Sequence, residues 1–310
     1  MSHPRLIRRM LKQCALSQVA IIFDLEDGLH DVFDAAHTVR LKAEGRENLL
    51  SFVSDHADLL AEVRTGVRVN ASHTPYFPDD LALLTAISHH CPLHVVMLSK
   101  VESAAELVSI RMALNHAHLP GAALLPIVET VAGLAALESI TAVARHVGAH
   151  SIAYGHYDYS VDAKCWPLIR FDHQAYWQWV SPIIHTIQAA GLRYVNAPLT
   201  SLENTDSLFA LLNRLHQACG GDFGLVTVSN VHDEGCLNFM PDHVRRVDAL
   251  PDPTPDHAAL LTEALRVRDA YIAQRHDGFS FAVDARTHEF IPMHLYFAAV
   301  QYLEKTGYTQ

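Results

Sequence analysis

The feature that most constrains the fold of this chain is a regular alternation of short apolar segments with stretches of helical period. Seven apolar segments, rich in Val, Ile, Leu or Phe, fall at 19–24, 67–70, 94–99, 123–128, 151–155, 192–197 and 223–228. Each is followed by a break or a polar cluster. The stretches between them include 80–90, 103–117, 131–147, 173–190 and 205–218, where apolar residues recur at intervals of three and four. Gly148, Gly191 and Gly220 follow three of these, where helix C-caps commonly lie. Strand and helix alternating this way predict a parallel sheet with right-handed crossovers. The repeat length fits a TIM-type (β/α)8 barrel. Such a barrel needs eight strands, and seven segments are present. The residues ahead of the first segment, 4–16, read as a helix with basic residues on one side. The expectation is a barrel lacking its first strand, closed in an unusual way or with its start missing from the chain.

Beyond residue 242 the pattern changes. The run Leu250-Pro251-Asp252-Pro253-Thr254-Pro255-Asp256 reads as a linker. Two helical patterns follow, 256–275 and 293–305, with a short strand or loop at 279–283. The expected division is a barrel domain over residues 1–249 and a C-terminal helical extension over 250–310. The extension is too small to hold a core alone and should pack on the barrel or on a neighbouring subunit. No internal repeat or low-complexity tract interrupts this organisation.

Composition narrows the function classes. Of the 310 residues, 50% are hydrophobic and 18% charged, enough apolar material for a large core. A net charge of −11 disfavours nucleic acid and anionic membrane as partners. The 22 histidines should make net charge vary steeply between mildly acidic and neutral pH. Five cysteines, an odd number without zinc-type spacing, read as reduced thiols in a cytoplasmic protein. No apolar run approaches the roughly 18 residues of a membrane span. P-loop, GxGxxG and GxSxG motifs are all absent.

The candidate chemistry lies at the strand ends. Ile21-Ile22-Phe23 runs directly into Asp24, Glu26 and Asp27 before Gly28. Carboxylates crowded at the end of a buried strand each need a cation, a donor or a proton. The plainer alternative is an acidic loop in water. Later segments end in Arg68 and Asn70, in Lys100 and Glu102, in Glu129 and Thr130, and in Gly155, His156 and Asp158. In a barrel these ends converge on one rim. Glu129 and Asp158, one strand–helix repeat apart, offer two hard oxygen ligands suited to Mg2+. Arg68 could hold a substrate carboxylate in a bidentate fork. The structural alternatives are that Glu129 complements a helix dipole, that Arg68 neutralises Asp24 or Asp27, and that Lys100 and Glu102 form a solvated rim pair.

Five motifs in order resemble the HpcH/HpaI aldolase and citrate lyase beta-subunit family, Mg2+-dependent carbon–carbon lyases. They are Ile22-Phe23-Asp24-Leu25-Glu26-Asp27-Gly28, Val67-Arg68-Val69-Asn70 with Asp79-Asp80-Leu81, Leu98-Ser99-Lys100-Val101-Glu102-Ser103, Pro126-Ile127-Val128-Glu129-Thr130, and Ala153-Tyr154-Gly155-His156-Tyr157-Asp158. The resemblance spans about residues 4–241. It implies that Glu129 and Asp158 ligate Mg2+ and that Arg68 binds the carboxylate of a 2-oxo or hydroxy acid. Glu26 and Asp27 would line the site and order water or relay protons. The backbone around Gly155 would help hold the substrate, with Lys100 beside it.

The implied reaction is retro-aldol or Claisen-type cleavage, or its reverse, of a small hydroxy acid or its coenzyme A thioester, such as citramalyl-, malyl- or citryl-CoA. The resemblance also implies a homo-oligomer, a trimer. The chain departs from the family in four places, the first being that the expected opening strand ending in a Phe/Tyr-Val-Pro turn is lacking. Residues 31–40 keep only Arg40 of the basic residues that hold coenzyme A. Val228-Ser229-Asn230 replaces Ile-His-Pro. The family's C-terminal Asp, which in some members reaches a neighbour's site, has Asp284 or Glu289 as its nearest counterpart. Two alternatives therefore stand beside the lyase: an aldolase on free 2-oxo acids, and an inactive barrel acting as a binding or assembly subunit.

Overall fold

All seven apolar segments coincide with or overlap strands of one parallel sheet. They are β1 (Ala20–Asp24), β2 (Arg64–Val69), β3 (Val95–Leu98), β4 (Ala123–Val128), β5 (Ser151–Tyr154), β6 (Arg193–Asn196) and β7 (Phe223–Leu225). They pair in sequence order, each parallel to the next. The computed structural model describes residues 11, 12, 14, 19–168, 170–202, 204–240, 256–274, 280–284 and 289–308.

The sheet curls on itself. Ile22 of β1 and Val226, just past β7, belong to the same small apolar cluster as Met97, Ile127, Ala153 and Val195. These side chains line the inner face of the curled sheet. Among the described residues no eighth strand joins β1 to β7. The segment where a first strand would fall, ahead of Leu11, lies outside those residues, as does most of the helix expected over 4–16. Leu11 itself is buried in the main core.

Helices cover the outside of the sheet. The first, α1 (Ala35–Asp55), begins where the Asp34 carboxylate accepts the His37 N–H, an N-cap bond. This long helix carries a weak sequence signal, because its buried positions include Thr38 and Lys42 beside Leu49 and Val53. A short turn, α2 (Ala57–Leu60), precedes β2. Then come α3 (Phe77–Ser88) and α4 (Ala104–His116). The stretch 131–147, expected as one helix, is broken into α5 (Val131–Ala135), α6 (Leu137–Ala144) and a 3-10 turn, Arg145–Val147. Next are α7 (His156–Asp162), α8 (Gln174–Ala189), α9 (Thr205–Cys219) and α10 (Asn230–Leu237). Gly148 and Gly220 close two helical stretches with φ of 79° and 63°, a region glycine enters without Cβ strain.

The C-terminal part holds α11 (His257–Gln274), an antiparallel hairpin of β8 (Phe281–Val283) and β9 (Phe290–Pro292), and α12 (Met293–Lys305). The expected boundary at residues 249 and 250 lies outside the described residues. This part has a small core of its own, including Val267, Tyr271, Ile291 and Leu303, and Val32 and Trp166 of the barrel pack against it. The Phe290 N–H donates to the Thr200 carbonyl at 3.0 Å, which ties the hairpin to the loop after β6. All five cysteines are free thiols. Among the described residues no helix is long and apolar enough to cross a membrane.

Position 66 shows how closely the strands approach. A Cβ there would collide with the Val95 side chain and lie 2.7 Å from the Val95 carbonyl oxygen, a backbone atom that cannot turn away. Gly66→Ala should therefore cost about 1–3 kcal/mol. Gly121→Ala, where a Cβ meets nothing within 4 Å, should be close to neutral. Urea unfolding of both variants checks this; equal midpoints would contradict it.

Candidate functional site

The polar ends of β1 to β5 meet, together with one residue from the C-terminal part. Asp24 and Arg68 are register partners across β1 and β2. Arg68 grips Asp24 with both prongs, Nε to Oδ1 at 2.7 Å and Nη2 to Oδ2 at 2.6 Å. Its Nη1 donates to Asp27 Oδ2 at 2.9 Å and lies 3.1 Å from Glu26 Oε2. Asp24 also accepts the backbone N–H groups of Glu26 and Gly28, which shapes the turn after β1. The neutralising reading of Arg68 therefore holds in this structure. Three of its five N–H groups are engaged by carboxylates, and its outer edge faces the cluster.

Lys100 occupies the centre. It does not pair with Glu102, as a rim residue would. Its Nζ contacts Glu26 Oε1 and lies 3.0 Å from Asp158 Oδ1, while its backbone N–H donates to Glu129 Oε1 at 2.8 Å. A left-handed backbone, φ 52°, turns the chain at this position. For a non-glycine residue that conformation is strained and persists where surrounding interactions hold it.

Glu129 does not cap a helix. Thr130 does that, its Oγ1 accepting the Gly133 N–H at 3.0 Å, while Glu129 is buried facing Lys100. Gly155 contributes through the side chain it lacks: a Cβ would stand 2.5 Å from Glu129 Oε2. Its N–H donates to the Val128 carbonyl at 3.1 Å, so that donor holds strand to strand and is not free for substrate.

Behind the mouth, a buried network fixes the Leu25–Glu26 turn. Lys42 Nζ donates to the carbonyls of Leu25 and Glu26 at 3.0 and 2.8 Å and to Asn70 Oδ1 at 2.6 Å. Asn70 is in turn held by Asp80 Oδ2, and Arg46 donates to Asp80 Oδ1 at 2.8 Å. Lys42 sits at mid-helix with no motif around it, so sequence patterning does not single it out.

His294, at the start of α12, is the residue that no strand-end pattern reveals. Its Nε2 lies 3.0 Å from Asp158 Oδ2 and 3.6 Å from Asp27 Oδ2. Asp27, Asp158 and His294 are the converging ligand group among the described residues, with one ligand atom of each within 4.8 Å of the others. Glu129 is outside that group; it meets the cluster through the Lys100 backbone N–H. Asp284 and Glu289, the acids nearest to the family's C-terminal Asp, are elsewhere: Asp284 pairs with Arg266. A separate cavity of about 470 Å3 is lined by residues such as Tyr157, Trp166, Phe171 and Arg214, and none of the cluster's carboxylates borders it.

Electrostatics describe a site short of positive charge. Five carboxylates (Asp24, Glu26, Asp27, Glu129, Asp158) face Arg68, Lys100 and His294. Burial and the neighbouring Asp158 charge push the Glu129 carboxyl well above its usual range. Burial and Asp27 likewise raise Glu26, whose Oε2 is buried without a hydrogen bond. Burial would also raise Asp158, but His294 and Lys100 outweigh it and hold that carboxyl low. Burial would lower His294, yet Asp158 and Asp27 lift it to about 9. Burial first, and the Asp158 charge second, disfavour the Glu129 anion, a cost that a nearby cation would relieve. Hard oxygen donors with unmet positive charge fit a divalent ion such as Mg2+.

Comparison with known proteins identifies the family and the fold. The family model described as HpcH/HpaI aldolase/citrate lyase matches residues 6–226. A citrate lyase subunit beta-like protein of Deinococcus radiodurans is 32% identical over 146 residues, 46% of this chain and 45% of that protein. The match thus spans less than half of that relative's length. Among solved structures, the citrate lyase beta subunit of M. tuberculosis complexed with oxaloacetate and magnesium is 19% identical with a TM-score of 0.52, covering 74% of this chain and 90% of that one. CitE from Mycobacterium tuberculosis with magnesium, acetoacetate and coenzyme A is 19% identical with a TM-score of 0.55, covering 97% and 94%. RipC from Yersinia pestis is 19% identical with a TM-score of 0.53, covering 73% and 92%. At such identities these likenesses establish a shared fold. Since the family model covers most of the barrel and all five strand-end motifs, the chain belongs to the HpcH/HpaI aldolase/citrate lyase family.

Proposed function

We propose that this protein is a Mg2+-dependent carbon–carbon lyase that cleaves or forms a small hydroxy acid carrying a carboxylate, as the free acid or as a coenzyme A thioester. The observation that carries this reading is the excess of buried carboxylate over cation at the strand ends, centred on Lys100 between Glu129 and Asp158. A barrel retained only for binding or assembly has no need to bury that much uncompensated charge.

Glu129 and Asp158 would hold the ion. Once bound, Mg2+ supplies positive charge against a carbonyl or carboxylate oxygen as the carbon–carbon bond breaks. Arg68, locked by Asp24, would meet a substrate carboxylate only as that group takes over the Nη1 contacts now made by Asp27 and Glu26. Lys100 sets a second positive charge beside the region where negative charge develops. Glu26, buried with a raised pKa between Arg68 and Lys100, is placed to hold or relay a proton. Coenzyme A as carrier is a finer part of this reading, since residues 31–40 keep only Arg40 of the family's basic set.

Three measurements test it. Glu129→Gln and Asp158→Asn should each lower kcat/KM by about 100-fold or more with far-ultraviolet circular dichroism unchanged. Full activity in either variant, or in EDTA, would remove the metal assignment. Gly155→Ala should push Glu129 off its position and weaken Mg2+ binding by about tenfold, read by calorimetry. An unaltered dissociation constant would show that the close approach is irrelevant to the ion. Assays of citramalyl-, malyl- and citryl-CoA beside the free acids separate thioester from free-acid chemistry. Turnover on free acids alone would defeat the thioester form.

A further inference from the structure

We infer that His294, carried by the C-terminal helix α12 of the same chain, is a nitrogen ligand of the divalent cation together with Asp158 and Asp27, so that the site has a mixed nitrogen–oxygen donor set. This inference rests on the reading that the barrel mouth holds such a cation, and Asp158 is the ligand common to the pair proposed above and to this group.

The distances fit coordination. Adjacent ligands of an octahedral ion with bonds of about 2.1 Å stand about 3.0 Å apart, and opposite ligands about 4.2 Å apart. His294 Nε2 is 3.0 Å from Asp158 Oδ2, the adjacent-ligand spacing, and 3.6 Å from Asp27 Oδ2, between the adjacent and opposite spacings. Nε2 is buried and paired with Asp158 Oδ2, so a bound cation would take the place of the proton between them.

The two oxygens of Asp158 also divide the work. Oδ1 faces Lys100 Nζ at 3.0 Å, whereas Oδ2 faces His294. A cation between Oδ2 and the imidazole therefore leaves the lysine contact in place. Asp27 is steadied on its other side by Arg68 Nη1, which donates to the same oxygen at 2.9 Å. The backbone positions His294 firmly, because β9 runs directly into α12 and the Phe290 N–H is anchored on Thr200.

The consequence is metal choice. An oxygen-only site favours Mg2+, whereas imidazole raises affinity for Mn2+, Co2+ and Zn2+ relative to Mg2+. The experiment is Mn2+ binding to the full chain, followed by electron paramagnetic resonance, with pulsed detection of 14N coupling. We expect bound Mn2+ with nitrogen coupling in the unaltered protein. In His294→Gln the coupling should vanish, Mn2+ affinity should fall about tenfold or more, and Mg2+ affinity should fall less. The spectrum of the unaltered protein needs no variant to fold: bound Mn2+ without nitrogen coupling overturns the inference and leaves the magnesium lyase standing. Coupling that persists in His294→Gln also overturns it. An absence of any Mn2+ or Mg2+ binding overturns both.

Discussion

A two-pronged grip between Arg68 and Asp24 fixes the mouth of this barrel. The pair joins the ends of two neighbouring strands in register, so the position of the guanidinium follows from the sheet itself. Asp24 then uses the same oxygens to hold two backbone N–H groups of the next turn, which delivers Glu26 and Asp27 to the centre. The Lys42–Asn70–Asp80 network braces that turn from behind. Every later feature of the site presupposes this frame. Lys100 can reach both Glu26 and Asp158 only because Glu26 is already held in place.

Buried charge of one sign is costly, and the fold offsets it in stages. Arg68 compensates the β1 turn. Lys100, in a left-handed backbone conformation, reaches the remaining carboxylates with its ammonium and its amide at once. His294 adds a third group from the far end of the chain. Glu129 still keeps a raised pKa after these contributions, which is the electrostatic signature of a site built for a further positive charge.

Much of this was legible from sequence, and the physical reason is periodicity. Strands such as β4 (Ala123–Val128) are apolar because they are buried on both faces, and their polar ends are therefore conspicuous. Asp24, Arg68, Lys100, Glu129 and Asp158 all stand out on that ground. The rest depends on features a one-dimensional pattern does not carry. Lys42 lies within a helix whose buried face is partly polar. Lys100 looks like a partner for Glu102 until its backbone turn is known. His294 is one histidine among many, and only the route of the hairpin and α12 brings it to Asp158. Gly155 reads as a donor of its amide, whereas the close approach of Glu129 is what its missing side chain permits.

The placement of His294 has a consequence for how the protein comes into being. Domains generally form from the N-terminal side as the chain leaves the ribosome, at about 5–20 residues per second. The strand-end carboxylates would already be gathered while α12 is still being translated. For those seconds a nascent barrel would expose an acidic, half-built mouth to the ions and small molecules around it. The mouth would be completed when α12 swings in and its imidazole closes the ring.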